Sequence, residues 1–311
     1  MAIESLSVVI PSHRGIYLED TLNSLQDQID PNFQLVLIEN GTLVRKQTEL
    51  VRRYFRSFKN FTYLHVKNSG LNCARNIGLR NSKSRIIAFT DDDCVPAKDW
   101  TARIKEVHSN IKEPLIGGKV KLRFIKDRPR WLEGIFQEYL AALDWGEKTR
   151  SIDQYEWLVG ANMSFKSEIF SQIGYFDEGI GLDQHYNRYN DELELFERIK
   201  NKGFSLIYSP DPVIIHQIPE NRTTIEYMES RAKSQGRSDV LVRLRKGVQR
   251  KDLLDFFEDQ IYGQEWSFQQ LRRSLLSIDV RYLTIFREYF LKARLAYLNG
   301  VHEAIVSQDT K

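Results

Sequence analysis

Little in this chain of 311 residues would staple or anchor it. It holds 2 cysteines, Cys73 and Cys94, and neither belongs to a Cys-x-x-Cys pair. No His/Cys cluster has zinc-ligand spacing, so a zinc module is excluded and both thiols are expected to be reduced core residues. No stretch approaches the roughly 20 apolar residues that a membrane span needs. Met1 to Ser7 lead straight into a strand, without the basic and apolar regions of a signal peptide. The expected location is therefore the cytoplasm. An excess of charge is also missing: 45 Lys and Arg against 42 Asp and Glu leave a formal net charge of +3. Nothing in that balance calls for a nucleic-acid partner, and none is expected. Internal repeats and low-complexity tracts are absent, which removes solenoids and disordered linkers from consideration.

What is present is alternation. Leu6 to Ile10 reads as a strand stopped by Pro11, and Phe33 to Ile38, Phe61 to Val66 and Arg85 to Thr90 as three more. Between them, Tyr17 to Gln28, Val44 to Phe58 and Asn72 to Asn81 have helical spacing, shown in the first by Leu18, Leu22 and Leu25. Strict alternation predicts an α/β fold of nucleotide-binding type, with parallel strands and right-handed helical crossovers. Beyond Lys119 the pattern changes. Asp127 to Gly146 reads as irregular or helical and Trp157 to Phe165 as a strand. Asn190 to Lys202 is helical, and two short strands, Phe204 to Tyr208 and Val213 to Ile215, are separated by Pro210 and Pro212. The remainder reads as helices over Ile225 to Val242, Lys251 to Tyr262 and Val280 to Leu298.

Chemistry concentrates at Asp91-Asp92-Asp93, where the fourth strand stops. Three adjacent carboxylates repel one another unless a cation lies between them, and a divalent metal carrying a diphosphate satisfies that need. Ligands of open α/β sheets bind at the carboxyl ends of the strands, so position and chemistry agree. A solvated acidic turn with an Asp helix cap is the structural alternative.

Several ordered segments then carry a resemblance. They are Val8-Val9-Ile10-Pro11-Ser12-His13-Arg14, Leu37-Ile38-Glu39-Asn40-Gly41-Thr42, Asn68 to Leu79, the Asp triplet, Trp157 to Phe165, Asn190 to Leu195, and Ser209 to His216. Together they resemble a family 2 glycosyltransferase with the GT-A fold, over roughly residues 5 to 220. The resemblance implies a Rossmann-like mixed sheet flanked by helices. Residues 1–220 would be the catalytic domain, with 1–118 the nucleotide-binding half and 119–220 the acceptor half; residues 221–311 would be a helical extension.

It also implies roles. Pro11, Ser12 and Arg14 match the turn that meets the nucleoside, and Glu39 stands where the family usually has an Asp that reads base or ribose. Asn68, Gly70 and Arg75 match the donor loop, and Asn76 a buttress of that loop. Asp91 and Asp93 match the two ends of a motif that holds Mn²⁺ or Mg²⁺ and the ribose; Asp93 is the expected direct ligand, and Asp92 faces ribose or metal-bound water. His216 is a further ligand candidate. Trp157, Gly160, Ala161 and Asn162 match the acceptor-lining strand. Asp191-Glu192 reverses the family's Glu-Asp order, so Glu192 takes the place of the catalytic base, with Asp191 as the other candidate or as a helix cap. Arg222 and Arg231 are candidates for a diphosphate clamp. The implied reaction is an inverting transfer from a nucleotide sugar, expected to be a UDP-sugar, to a hydroxyl of a glycan or lipid-linked acceptor. A non-catalytic relative and a sugar nucleotidyltransferase are the alternatives. In the tail, Leu283, Phe286, Phe290, Ala293 and Tyr297 form an apolar stripe, open to packing on the domain, to a homodimer or to peripheral contact with the inner face of the cell membrane.

Overall fold

The computed structural model describes residues 5–13, 15–42, 45–67, 70–153, 156–179, 192–245, 247–249, 252–253 and 283–306. Strand β1 (Leu6–Ser12) is buried along its whole length. It pairs in parallel with β2 (Phe33–Asn40) and β4 (Ile86–Phe89), and β2 pairs in parallel with β3 (Asn60–Val66). Helices α1 (Leu18–Gln26), α2 (Arg45–Tyr54) and α3 (Gly70–Asn81) make the crossovers. Leu18, Thr21, Leu22 and Leu25 are the buried face of α1, the 3.6-residue spacing that docks a helix on a sheet.

The chain then adds β5 (Cys94–Pro96), α4 (Trp100–Asn110), β6 (Leu115–Phe124), α5 (Ile135–Glu138), β7 (Arg150–Ser151) and a 3-10 turn over Gly160–Asn162. After these come β8 (Met163–Lys166), α6 (Phe170–Ile173), α7 (Leu193–Asn201), β9 (Ile207–Ile218), α8 (Ile225–Arg245) and α9 (Leu283–Val306). The sheet order is β3-β2-β1-β4-β8-β6-β9-β5, with β7 also on β9. β8 runs antiparallel to β4 and β6, and β5 antiparallel to β9. The sheet is thus mixed: a parallel half followed by an antiparallel half. Phe89 is the pivot of the core, meeting Phe165 edge-on at 6.0 Å and Phe176 at 5.6 Å.

Two expectations need correction. The strand expected over Trp157 to Phe165 is mostly the 3-10 turn followed by the short β8. Asp127 to Gly146 is irregular around one four-residue helix, α5, as expected. The two strands expected on either side of Pro210 and Pro212 are one strand, β9. Prolines two residues apart remove N–H donors from the same strand edge, and the Pro212 carbonyl finds its donor outside the ladder. There the Asn162 amide donates to Pro212 O at 2.9 Å. Gly118 makes this approach feasible, because a Cβ at that position would lie 2.2 Å from Pro212 O. The helix expected over Lys251 to Tyr262 lies almost wholly outside the described residues.

The contacts group the chain into two compact units, neither continuous in sequence. One comprises Met1–Arg123, Ala142–Leu182 and Glu194–Gln217; the other Phe124–Ala141, Asp183–Leu193 and Ile218–Lys311. In the second, α8 packs along α9, and Tyr297 Oη donates to Asp239 Oδ2 at 2.7 Å. Phe286, Ala293 and Tyr297 of the apolar stripe are buried there, with Phe136 edge-on to Phe286 at 5.5 Å. No described helix is long and apolar enough to cross a membrane.

Candidate functional site

The carboxyl ends of β1, β2 and β4 converge in the first unit, and the register fixes what lies there. Ser12 pairs with Glu39 across β1 and β2, and Glu39 with His65 across β2 and β3. Pro11 is buried one residue earlier, opposite Ile38. Past the end of β1, the His13 ring meets Asn40 O at 2.7 Å. Arg14, Asn68 and Asp191 lie outside the described residues.

The three aspartates after β4 have separate surroundings. Asp92 turns towards β1: its Oδ2 accepts from Ser12 Oγ at 2.7 Å and from the His13 N–H at 2.9 Å. Thr21 Oγ1 of α1 donates to the Asp92 carbonyl at 3.1 Å. Burial, and then the neighbouring Asp93 charge, push the Asp92 carboxyl up to about 7. Asp93 turns the other way. Its carbonyl accepts from the Gln217 N–H at 2.9 Å, and its Oδ2 lies 3.3 Å from His216 Nε2. The pairing Cys94↔His216 between β5 and β9 sets that approach. The Asp91 carbonyl accepts from the Cys94 N–H at 3.2 Å, closing the turn.

Among the described residues, Asp93, Cys94 and His216 place one potential ligand atom each within 4.8 Å of one another. The donor chemistry tests whether a divalent ion fits. A carboxylate with an imidazole suits Mn²⁺ well and Mg²⁺ adequately. Burial, and then the charges of Asp93 and Asp91, push the Cys94 thiol well up, so it remains an S–H donor directed at Asp93 Oδ1, 3.7 Å away. The residues fit a hard or borderline cation held by Asp93 and His216, with the thiol as a neutral neighbour.

Glu39 is 4 % exposed, and its Oε2 accepts from the Tyr63 hydroxyl. Burial, then the bond to Glu39, pushes the Tyr63 phenol up, which keeps it a donor. Glu39 Oε1 is buried without a hydrogen-bond partner. Gly70 opens α3 with φ of 77°, a region that favours glycine. Arg75 is 2 % exposed and lies over the Phe176 ring at 5.5 Å. Asn76 braces the segment opposite α3, donating to Phe176 O at 2.9 Å and accepting from the Phe176 N–H at 2.9 Å.

On the expected acceptor side, Gly160, Ala161 and Asn162 are buried in the 3-10 turn. Asn162 uses its whole amide: Oδ1 accepts from Trp100 Nε1 at 2.9 Å, and Nδ2 donates to Lys119 O and Pro212 O, both at 2.9 Å. Trp157 is half-buried, edge-on to Trp145 at 4.8 Å. Glu192 directly precedes α7, and within the second unit Arg222 closes a 3-10 turn while Arg231 lies over Tyr139 at 5.8 Å. The sequence reading missed Tyr63, Thr21 and Gln217. Only Tyr63 had a visible signal, since it lies on the same face of β3 as His65, which pairs with Glu39.

This geometry has counterparts. The model of glycosyl transferase family 2 matches residues 7–170, more than half of the chain. The chain belongs to glycosyl transferase family 2, a family of transferases, and its fold is of the GT-A type. It is 23% identical over 230 residues to the glucosyl-dolichyl phosphate glucuronosyltransferase of Haloferax volcanii, covering 72% of each chain. It is 25% identical over 171 residues to the succinoglycan biosynthesis protein ExoM of Rhizobium meliloti, covering 54% of this chain and 52% of that one. Among solved structures it resembles residues 1–349 of S. aureus TarS in complex with UDP, at a TM-score of 0.52 and 12% identity, covering 99% of this chain and 92% of that one. It spans 55% of a longer TarS chain.

Proposed function

We propose that the chain is an inverting, divalent-metal-dependent glycosyltransferase that moves a sugar from a UDP-sugar to a hydroxyl of a glycan or lipid-linked acceptor, with residues 1–220 as its catalytic domain. The observation that carries this reading is the Asp93–His216 pair, 3.3 Å apart at the edge of the sheet that positions Ser12 and Glu39. The UDP bound to the TarS fragment and the activities in the relatives' names support the donor and acceptor classes.

Glu39, Ser12 and the turn with Arg14 bind the nucleoside, and Asp91 faces the ribose and diphosphate. Asp93 and His216 would hold Mn²⁺ or Mg²⁺, which would supply Lewis acidity to the departing diphosphate. Asp92 acts from behind: its bonds to Ser12 and His13 fix the β1 turn relative to Asp93. Glu192, with Asp191 as the alternative, takes the proton from the acceptor hydroxyl as it attacks the anomeric carbon. Inversion follows from a single displacement. Arg222 and Arg231 are the candidates for a diphosphate clamp, and Trp157 for a stacking contact with the acceptor sugar.

Calorimetry with UDP, GDP, CDP and dTDP, in Mn²⁺ and then in EDTA, tests the reading. Metal-dependent binding of UDP is the expected result. Absence of binding by every nucleotide would overturn it in favour of a non-catalytic relative.

A further inference from the structure

We infer that Tyr63 is a specificity-determining residue, which by occupying one oxygen of Glu39 restricts the site to a base presenting a single ring N–H, uracil or thymine, and excludes guanine. The inference rests on the nucleotide-site reading above and deepens it.

Glu39, one residue before the end of β2, lies beside Ser12, whose hydroxyl is already committed to Asp92. Tyr63 lies diagonally across the β2–β3 ladder from Glu39, on the same face, because it pairs with Leu37 two residues earlier. Its hydroxyl donates to Oε2, and the phenol stays protonated because burial and the carboxylate both raise it. His65, directly opposite Glu39, is committed elsewhere, its Nε2 lying 2.6 Å from Gly41 O. One acceptor is left, Oε1, buried and without a hydrogen-bond partner. A buried carboxylate oxygen without a donor is costly, and a ligand N–H that reaches it recovers that cost.

The edges of the bases differ in what they ask of such an oxygen. Uracil and thymine carry one N–H between two carbonyls, which needs one acceptor. Guanine carries adjacent N1–H and N2–H₂ donors, which pair best with both oxygens of one carboxylate. Here one of those oxygens already accepts from the Tyr63 hydroxyl, so the carboxylate no longer offers guanine two open oxygens side by side. Cytosine has no ring N–H to give.

The test uses the full chain with Mn²⁺ and measures affinities for UDP, dTDP, GDP and UDP methylated at N3. Wild type is expected to bind UDP at least about tenfold tighter than GDP and than the N3-methylated ligand, the loss expected for one unmade bond to a charged acceptor. Tyr63→Phe frees Oε2, and the UDP-to-GDP ratio is expected to fall about tenfold through a gain for GDP. Equal loss for every nucleotide in Tyr63→Phe would mark Tyr63 as structural and overturn the inference. Unchanged affinity of wild type for the N3-methylated ligand would overturn it as well, without any variant having to fold. Failure of wild type to bind any nucleoside diphosphate is a different result: it removes the nucleotide-site reading itself. Binding of dTDP as tight as UDP keeps the inference and leaves the sugar hydroxyl unread.

Discussion

The two halves of the sheet hold the two neighbouring aspartates by different means. The parallel half grips Asp92 through side-chain and backbone donors of Ser12 and His13, which pull its pKa down, while burial, and then the Asp93 charge, outweigh them and raise it to about 7. The antiparallel half places Asp93 by ladder geometry, with His216 opposite Cys94 and the Gln217 N–H on the Asp93 carbonyl. A hydrogen-bonded turn fixes a residue's orientation; a ladder fixes its distance from a partner far away in sequence. One acid is thereby made a support and the next a candidate ligand, though both are aspartates one bond apart in the chain.

The comparison can be broken most severely at Asn162, which ties β6, β9 and α4 with one amide. Asn162→Ala leaves buried polar groups unpaired, and a loss of about 4 kcal/mol is expected in denaturant melts. Should the melt move by less than about 1 kcal/mol, water must already serve these groups. Asp93→Asn keeps the ladder and removes the charge, so turnover and metal-dependent nucleotide binding should each fall about a hundredfold with the circular dichroism spectrum unchanged.

A third probe sharpens the comparison through pH. His108 of α4 meets Ser164 Oγ of β8 at 2.9 Å, and burial, then the Lys166 charge, lower it from 6.5 to about 3. Between those values the unfolded chain binds a proton that the folded chain refuses, so stability rises with pH across the window. It should fall by about 1.4 kcal/mol per pH unit as pH drops from 6.5 towards 3, and His108→Gln should flatten that slope in melts taken across the window. Smallest in effect, Ser12→Ala removes one donor from Asp92 in the parallel half, and about 1.5 kcal/mol is expected, read from the denaturation midpoint. No change there would mean that the His13 N–H alone fixes the turn.

The same division explains what the sequence made legible. In the parallel half, apolar runs alternate with helical spacing, and β1, β2, β3, β4 and their crossovers fall where Leu6–Ile10, Phe33–Ile38, Phe61–Val66 and Arg85–Thr90 predict them, except that Pro11 does not stop β1, which runs on to Ser12. In the antiparallel half the signals are long-range. Nothing near Pro210 or Pro212 announces that an amide fifty residues earlier will bond the Pro212 carbonyl, so β9 reads as two strands. The Asp triplet and His216 were legible as chemistry, and their proximity comes from the β5–β9 register. Tyr63 escaped notice because an aromatic in a strand is ordinarily packing, and its partnership with Glu39 depends on a diagonal across the ladder.

Strand β5 is three residues long and stands at the edge of the sheet. Asp93 and His216 therefore meet only while that short ladder is closed, flanked by the Gln217-to-Asp93 and Ala97-to-Val213 bonds. Edge segments of this length open far more often than the core, so the pair is governed by local fraying and not by global unfolding. Isotope exchange at the Gln217 amide would clock the lifetime of the pair directly, and a variant whose melting temperature is unchanged can still lose the Asp93–His216 pairing if that one amide exchanges faster.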